Sequence, residues 1–312
     1  MADVLAITGP IFILIGIGFL AVRAGVIAAE TLPGMGRFVL HYCLPALIFS
    51  TVSGMDFETL IEPAYLTVYG AASLLMLLGG VAFVSMIQRQ SLSTSGVMGL
   101  GMSLSNSAFI GYPVLLQVFG EPPAQAFAMS LMVENIIVMP IALMIIEYGN
   151  REKGAAVSLT HQLLSVLQRL VRSPLLLAIG AGMLVSLLEF PVPATINKSL
   201  DMLAQASVAV ALFTIGGTLV GNPIKGDLES IGTVLTGKLI IHPILVFLLL
   251  MLAPTLDEEL KLSMLILAAM PMLSVFPIIG SNYGAGKLCA SILLLTTVTS
   301  FISITALLTF AT

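Results

Sequence analysis

Few side chains in this sequence can do chemistry, and those that can stand inside long apolar runs. Glu134 and Asn135 fall near the middle of one such run, and Lys238 lies inside another. An ionised carboxylate at bilayer depth costs a few kcal/mol or more, so a functional role is the default expectation for it. One role is proton coupling, with Glu134 protonated on one side and not on the other. A second is cation coordination together with Asn135. A neutral, hydrogen-bonded Glu134 or a fixed ion pair is the structural alternative. Lys238 either snorkels to the interface, pairs with Glu134, or attracts an anionic substrate. His242 joins a proton path or is a structural imidazole. His41, near Cys43, is too isolated to make a metal site, and no metal or catalytic residue is assigned.

A second group sits in two stretches, SNSAFIGYPVLLQVFG at Ser105–Gly120 and MPMLSVFPIIGSNYG at Met270–Gly284. Each carries proline, glycine and side-chain hydroxyls or amides within an apolar segment. An uninterrupted helix satisfies its own backbone in lipid, whereas proline removes a donor and frees a carbonyl. Such breaks are tolerated where the freed groups line a protein-walled cavity, and paired broken segments point to a transporter's binding site. Pro113 and Pro277 are expected to break the helices at a crossover, or merely to kink them; Pro271 is a further break or kink. Asn106, between Ser105 and Ser107, has an amide able to donate to an anionic oxygen, or to serve as polar glue between helices. Ser274 contacts ligand or rebonds a freed carbonyl.

The elements that position these groups must be membrane helices. The chain is 58% hydrophobic and 9% charged, with mean hydropathy +1.10, against roughly 25% charged in a soluble domain. A net charge of −4 and the lack of a basic run give nucleic acid no handle. Cys43 and Cys289 read as small packing residues. A span needs about 20 mostly apolar residues, and on that rule ten are expected, at roughly 4–22, 36–54, 64–87, 96–119, 124–147, 173–189, 201–220, 230–252, 261–282 and 288–310. The first reads as a span and not as a removable signal peptide.

Alternate loops divide the basic residues unequally. Arg23, Arg37, Arg89, Arg151, Lys153, Arg169, Arg172, Lys225 and Lys287 face one side, and Lys198 and Lys261 the other. The positive-inside rule puts the first set in the cytoplasm and both termini outside. The halves also repeat: Pro10, Gly16, Gly18, Phe49, Pro113 and Gly120 correspond to Pro174, Gly180, Gly182, Phe213, Pro277 and Gly284 at a constant offset of 164. A duplicated unit of five spans is odd-numbered, so the second copy enters from the opposite side, an inverted repeat. The expected division is 1–147, a cytoplasmic loop 148–172, and 173–312. Span four then pairs with span nine. Opposed half-helix N-termini bring partial positive charge and orphan N–H groups to the midplane, which suits an anion such as a carboxylate.

At these residues the chain resembles the auxin efflux carrier family, which includes plant PIN-formed auxin exporters and bacterial organic-acid carriers. The matching stretches are LPALIF at Leu44–Phe49, NSAFIGYPVLL at Asn106–Leu116, ALFTIGGTL at Ala211–Leu219, GKLIIHP at Gly237–Pro243 and AAMPMLSVFPIIGSNYG at Ala268–Gly284. The resemblance implies an all-α membrane protein of ten helices in two inverted repeats. Spans 1, 2, 6 and 7 would form a scaffold and spans 3–5 and 8–10 a transport domain that moves like an elevator, with a homodimer through the scaffolds. It implies that Asn106 helps hold a substrate carboxylate. The chain departs from bacterial relatives, which often carry Asn within span nine, in having Ser274 and Val275 there. Its central loop is also far shorter than that of the plant carriers.

These readings converge on a secondary carrier of a small organic anion, a mono- or dicarboxylate of malonate, malate or auxin type, in a bacterial inner membrane. It needs no cofactor; H+ and Na+ are both candidate coupling ions, since bile-acid-type sodium symporters share the inverted-repeat logic. A passive channel and an intramembrane enzyme are the rivals. Walker A, HExxH and G-x-S-x-G patterns are missing, which argues against an ATP-driven pump and against a hydrolase.

Overall fold

The computed structural model describes residues 2–120, 123–150, 164, 168, 171–221, 227–252 and 255–311. Arg151, Lys153, Arg169 and Lys225, and most of the expected 148–172 loop, lie outside the described residues. The helices in chain order are α1 (Ala2–Arg23), α2 (Ala29–Ser53), α3 (Pro63–Met86), α4 (Leu92–Ser103), α5 (Tyr112–Phe119), α6 (Ala124–Asn150), α7 (Pro174–Leu187), α8 (Ala194–Thr218), α9 (Leu228–Leu250), α10 (Glu258–Ala268), α11 (Phe276–Asn282) and α12 (Gly286–Ala311). Among the described residues there are no strands. Among the described residues six helices, α2, α3, α6, α8, α9 and α12, are long and apolar enough to cross a membrane, while Thr8–Arg23 and α7 are shorter apolar helices. The expected spans at 96–119 and 261–282 are each divided in two, α4 with α5 and α10 with α11.

Prolines shape these helices in a way the sequence reading misplaces. Each of four π-helical turns ends two residues before a proline: Val39–Cys43 before Pro45, Ser107–Gly111 before Pro113, Val133–Val138 before Pro140, and Gly237–Ile241 before Pro243. Proline has no N–H to donate and its ring crowds the carbonyl four residues back. Widening the preceding turn to i→i+5 bonding accommodates both, and Leu44, Met139 and His242 donate their N–H groups to the carbonyls of Val39, Glu134 and Gly237. Pro113 therefore follows a π turn at the start of α5, and the break itself lies seven or more residues earlier, at Leu104–Asn106. Pro277 likewise sits in the first turn of α11, after a non-helical stretch at Pro271–Leu273.

The chain forms two compact units. The first comprises residues 1–63, 108–131 and 171–221. Its centre is the pairing of α1 with α8, where glycines let the backbones touch: a Cβ on Gly18 would run into the Phe213 carbonyl, and one on Gly216 into the Ile15 carbonyl. Close approach through small residues is how membrane helices gain dispersion contact where lipid offers no hydrophobic drive. Helix α7 packs on the Leu44–Ser53 part of α2 in the same unit.

The second unit comprises residues 64–107, 132–170 and 222–312. Helix α4 lies against the Met139–Asn150 part of α6. Helix α9 starts from Asp227, whose carboxylate accepts the Glu229 and Ser230 N–H groups and the Ser230 hydroxyl, bonds that hold its carboxyl below the usual range. Helix α3 buries Tyr65, Tyr69 and Ser73 along one stripe at four-residue spacing.

Candidate functional site

The two non-helical stretches of the second unit meet. Asn106 N–H donates to the Pro271 carbonyl at 2.7 Å, and the Asn106 amide Nδ2 donates to Ser274 Oγ at 2.8 Å. One main-chain and one side-chain bond thus join the break at Leu104–Asn106 to the break that begins at Pro271. Asn106 is 2% exposed. Leu104 still closes α4, its N–H reaching the Leu100 carbonyl.

Both ionisable residues anticipated inside spans enter this region from π turns, Glu134 from Val133–Val138 and Lys238 from Gly237–Ile241. Such turns shift the helical register and occur often at functional sites. Lys238 is fully buried and does not snorkel. Its ammonium donates to Ser105 Oγ at 2.6 Å and to the Ala268 carbonyl at 3.0 Å, and contacts His242 Nδ1 at 2.9 Å. An ammonium has three donors and no acceptor, so those three partners saturate it. His242 Nε2 lies 3.2 Å from Ser73 Oγ, and the tautomer sets which of the two donates.

Glu134 is 2% exposed. Its Oε1 accepts the hydroxyl of Ser107 at 2.6 Å and that of Tyr69 at 2.8 Å, whereas Oε2 is buried with no partner. Glu134 and Lys238 form no direct ion pair. Ser105 and Tyr69 stand between them, with Tyr69 Oη 3.5 Å from Ser105 Oγ. The result is one buried chain of polar groups, Ser73–His242–Lys238–Ser105–Tyr69–Glu134–Ser107, that starts in α3 and α9, passes through Ser105 and ends at Ser107, so that it touches both neighbours of Asn106.

The remaining anticipated residues divide. Pro271 and Ser274 are at the crossing, as acceptors of Asn106. Pro277 is half-buried in α11, and Asn135 is half-buried next to Glu134. Pro113 is buried within the first unit. Tyr69 and Ser73 were not anticipated; their one signal is the Tyr65–Tyr69–Ser73 spacing within the third apolar run. An apolar cavity of about 550 Å³ also lies in the second unit, faced by Leu75, Met76, Phe83, Gly232, Thr236 and Leu245. Its lining offers a carboxylate almost nothing, so room and polarity are separated here. Among the described residues no cluster of His, Cys, Asp and Glu could hold a metal ion.

Comparison with known proteins places the chain among membrane transporters. A "Putative malonate transporter" from Rhizobium meliloti (strain 1021) is 28% identical over 316 residues, covering 99% of this chain and 96% of the relative. An "Uncharacterized transporter YfdV" from Escherichia coli (strain K12) is 24% identical, covering 91% of each. The "Lysosomal cholesterol signaling protein" of Mus musculus is 25% identical over 73% of this chain but only 27% of its own length. The family model described as "Membrane transport protein" matches residues 5–308, and the chain therefore belongs to that family, the auxin efflux carriers, as a multi-pass membrane transporter and not an enzyme.

Proposed function

We propose that this transporter is a secondary carrier of a small organic anion, a mono- or dicarboxylate, with its substrate site at the crossing of the two breaks. The observation that carries this reading is the junction at Asn106, whose N–H reaches the Pro271 carbonyl while its amide reaches Ser274. The Asn106 amide is a donor at the meeting point of two interrupted helices, and the buried Lys238 ammonium lies one residue away through Ser105. A cation held away from water favours an incoming carboxylate, and Asn106 supplies a directional donor. The name of the Rhizobium relative supports a dicarboxylate such as malonate.

The proposed cycle is an elevator. Spans 3–5 and 8–10 carry the site past a dimeric scaffold of spans 1, 2, 6 and 7, in ten spans of two inverted repeats. The grouping of residues 1–63 and 171–221 in one unit, and of 64–107, 132–170 and 222–312 in the other, supports this division; residues 108–131, which group with the first unit, depart from it. The location is a bacterial inner membrane, with both termini outside. Glu134 is the proposed proton carrier: its protonation would remove the negative charge nearest Lys238, so that the field of that ammonium favours a substrate carboxylate beside Asn106.

The test is uptake of labelled malonate, malate and an aromatic acid into proteoliposomes, with and without an imposed proton gradient. Gradient-driven accumulation of one acid is expected, and Glu134→Gln is expected to retain saturable exchange while losing the response to the gradient. Failure of all three acids to move would overturn the anion assignment.

A further inference from the structure

Two of the three groups around the Lys238 ammonium are oxygens of the kind a hard metal cation takes. Its ammonium touches a serine hydroxyl, a main-chain carbonyl and an imidazole nitrogen, all buried. Hydroxyl and carbonyl oxygens are the ligands that hard inorganic cations take. The two oxygens come from the two interrupted helices: Ser105 lies in the first break and Ala268 is the last residue of α10, just before the second.

Each of these positions also carries negative potential. The last carbonyls of a helix have no intrahelical donor and form the negative end of its dipole. In α10 the carbonyls of Leu265, Ile266 and Leu267 are reached by the N–H groups of Ala269 and Met270, which leaves that of Ala268 for Lys238. Helix α4 ends two residues before Ser105. The C-terminus of α10 therefore meets the ammonium directly, and Ser105, two residues beyond α4, meets it through its hydroxyl, with the Glu134 carboxyl group beyond Tyr69. Where backbone is interrupted within a transporter, such ends are where a coupling cation binds.

We propose that the Lys238 ammonium is a built-in, covalently tethered cation that joins the first break to the second, so that no sodium or potassium ion is used at the crossing. The proposal rests on the reading of that crossing as the transport site. It decides between the two coupling ions left open by the sequence: the monovalent cation position is already filled from α9, and the proton remains. It also explains why a lysine is tolerated at 0% exposure in an apolar helix, since every donor it has is engaged and the C-terminal carbonyl of α10 faces it.

Two measurements test this. In the first, uptake and thermal unfolding of the purified wild-type protein are compared in sodium, potassium and choline chloride. Both are expected to be the same in all three; a sodium requirement for uptake, or a melting temperature raised by sodium over choline, overturns the proposal. In the second, Lys238→Ala and Lys238→Gln are compared with wild type. Uptake is expected to fall about tenfold or more in both, with a lowered melting temperature. Ethylammonium, but not ethanol, is expected to raise the melting temperature of Lys238→Ala towards the wild-type value. Wild-type behaviour of Lys238→Gln, or equal rescue by ethanol, overturns the proposal, because hydrogen bonding or filled space would then suffice without charge. If Lys238→Ala yields no folded protein, the salt comparison on wild type and the Gln variant decide. Unfolding is read without substrate, so a failed carboxylate assignment leaves this test intact, and sodium-driven carboxylate uptake would refute the tethered cation while keeping the carrier.

Discussion

Asn106 does two jobs with two different groups, and they can be separated by mutation. Its N–H is main chain and survives any side-chain change except proline; its amide is the group proposed to meet substrate. Asn106→Ala is therefore expected to keep the crossing and the fold while substrate affinity falls about tenfold to a hundredfold, the usual size of one or two lost hydrogen bonds to a charged group. Isothermal titration with the transported acid, alongside a melting curve, checks both halves; unchanged affinity would remove Asn106 from the site. Glu134 and Lys238 were legible in the sequence because ionisable side chains in apolar runs are rare and costly. The direction of Lys238 was not legible. A lysine near a helix end normally snorkels, and only the π turn at Gly237–Ile241 aims this one at Ser105 and Ala268. Tyr69 escaped notice for a related reason: tyrosine in a membrane helix reads as an interfacial residue, and nothing local shows that its hydroxyl lies 2.8 Å from a carboxylate.

Among elements, the broken pair was visible from proline, glycine and amide content, and Pro271 does open the second break, but Pro113 and Pro277 lie beyond the breaks. The reason is physical. Proline needs relief upstream; a π turn provides it before Pro113 without ending the helix, whereas Pro277 follows the break at Pro271–Leu273 and sits in the first turn of α11. The α1–α8 pair teaches the opposite lesson. Gly18 counted only as a repeat marker and Gly216 only as part of a matching stretch, yet each is a contact where backbone meets backbone. Gly216→Ala is expected to force the helices apart, at a cost of about 1–3 kcal/mol or more as for other overpacked sites. A clearly lowered melting temperature in detergent checks this, and substitution at Gly9, where a Cβ would meet nothing within 4 Å, serves as the control.

For the whole molecule, six helices among the described residues are long and apolar enough to cross a membrane, while the ten-span count, the inverted repeat and the orientation belong to the proposed function. Charge asymmetry predicts that single cysteines replacing Lys198 or Lys261 react with an impermeant maleimide added outside intact cells, whereas cysteines at Arg89 or Lys287 react only after permeabilisation; the reverse pattern would invert the assigned topology. One consequence of the crossing reaches across these scales. Pro271 has a carbonyl to offer Asn106 and no N–H to offer in return, so the two interrupted backbones cannot zip into a ladder. They are riveted at one residue instead, Asn106 holding Pro271 with its main chain and Ser274 with its side chain, so register is fixed locally and not by a run of paired strands.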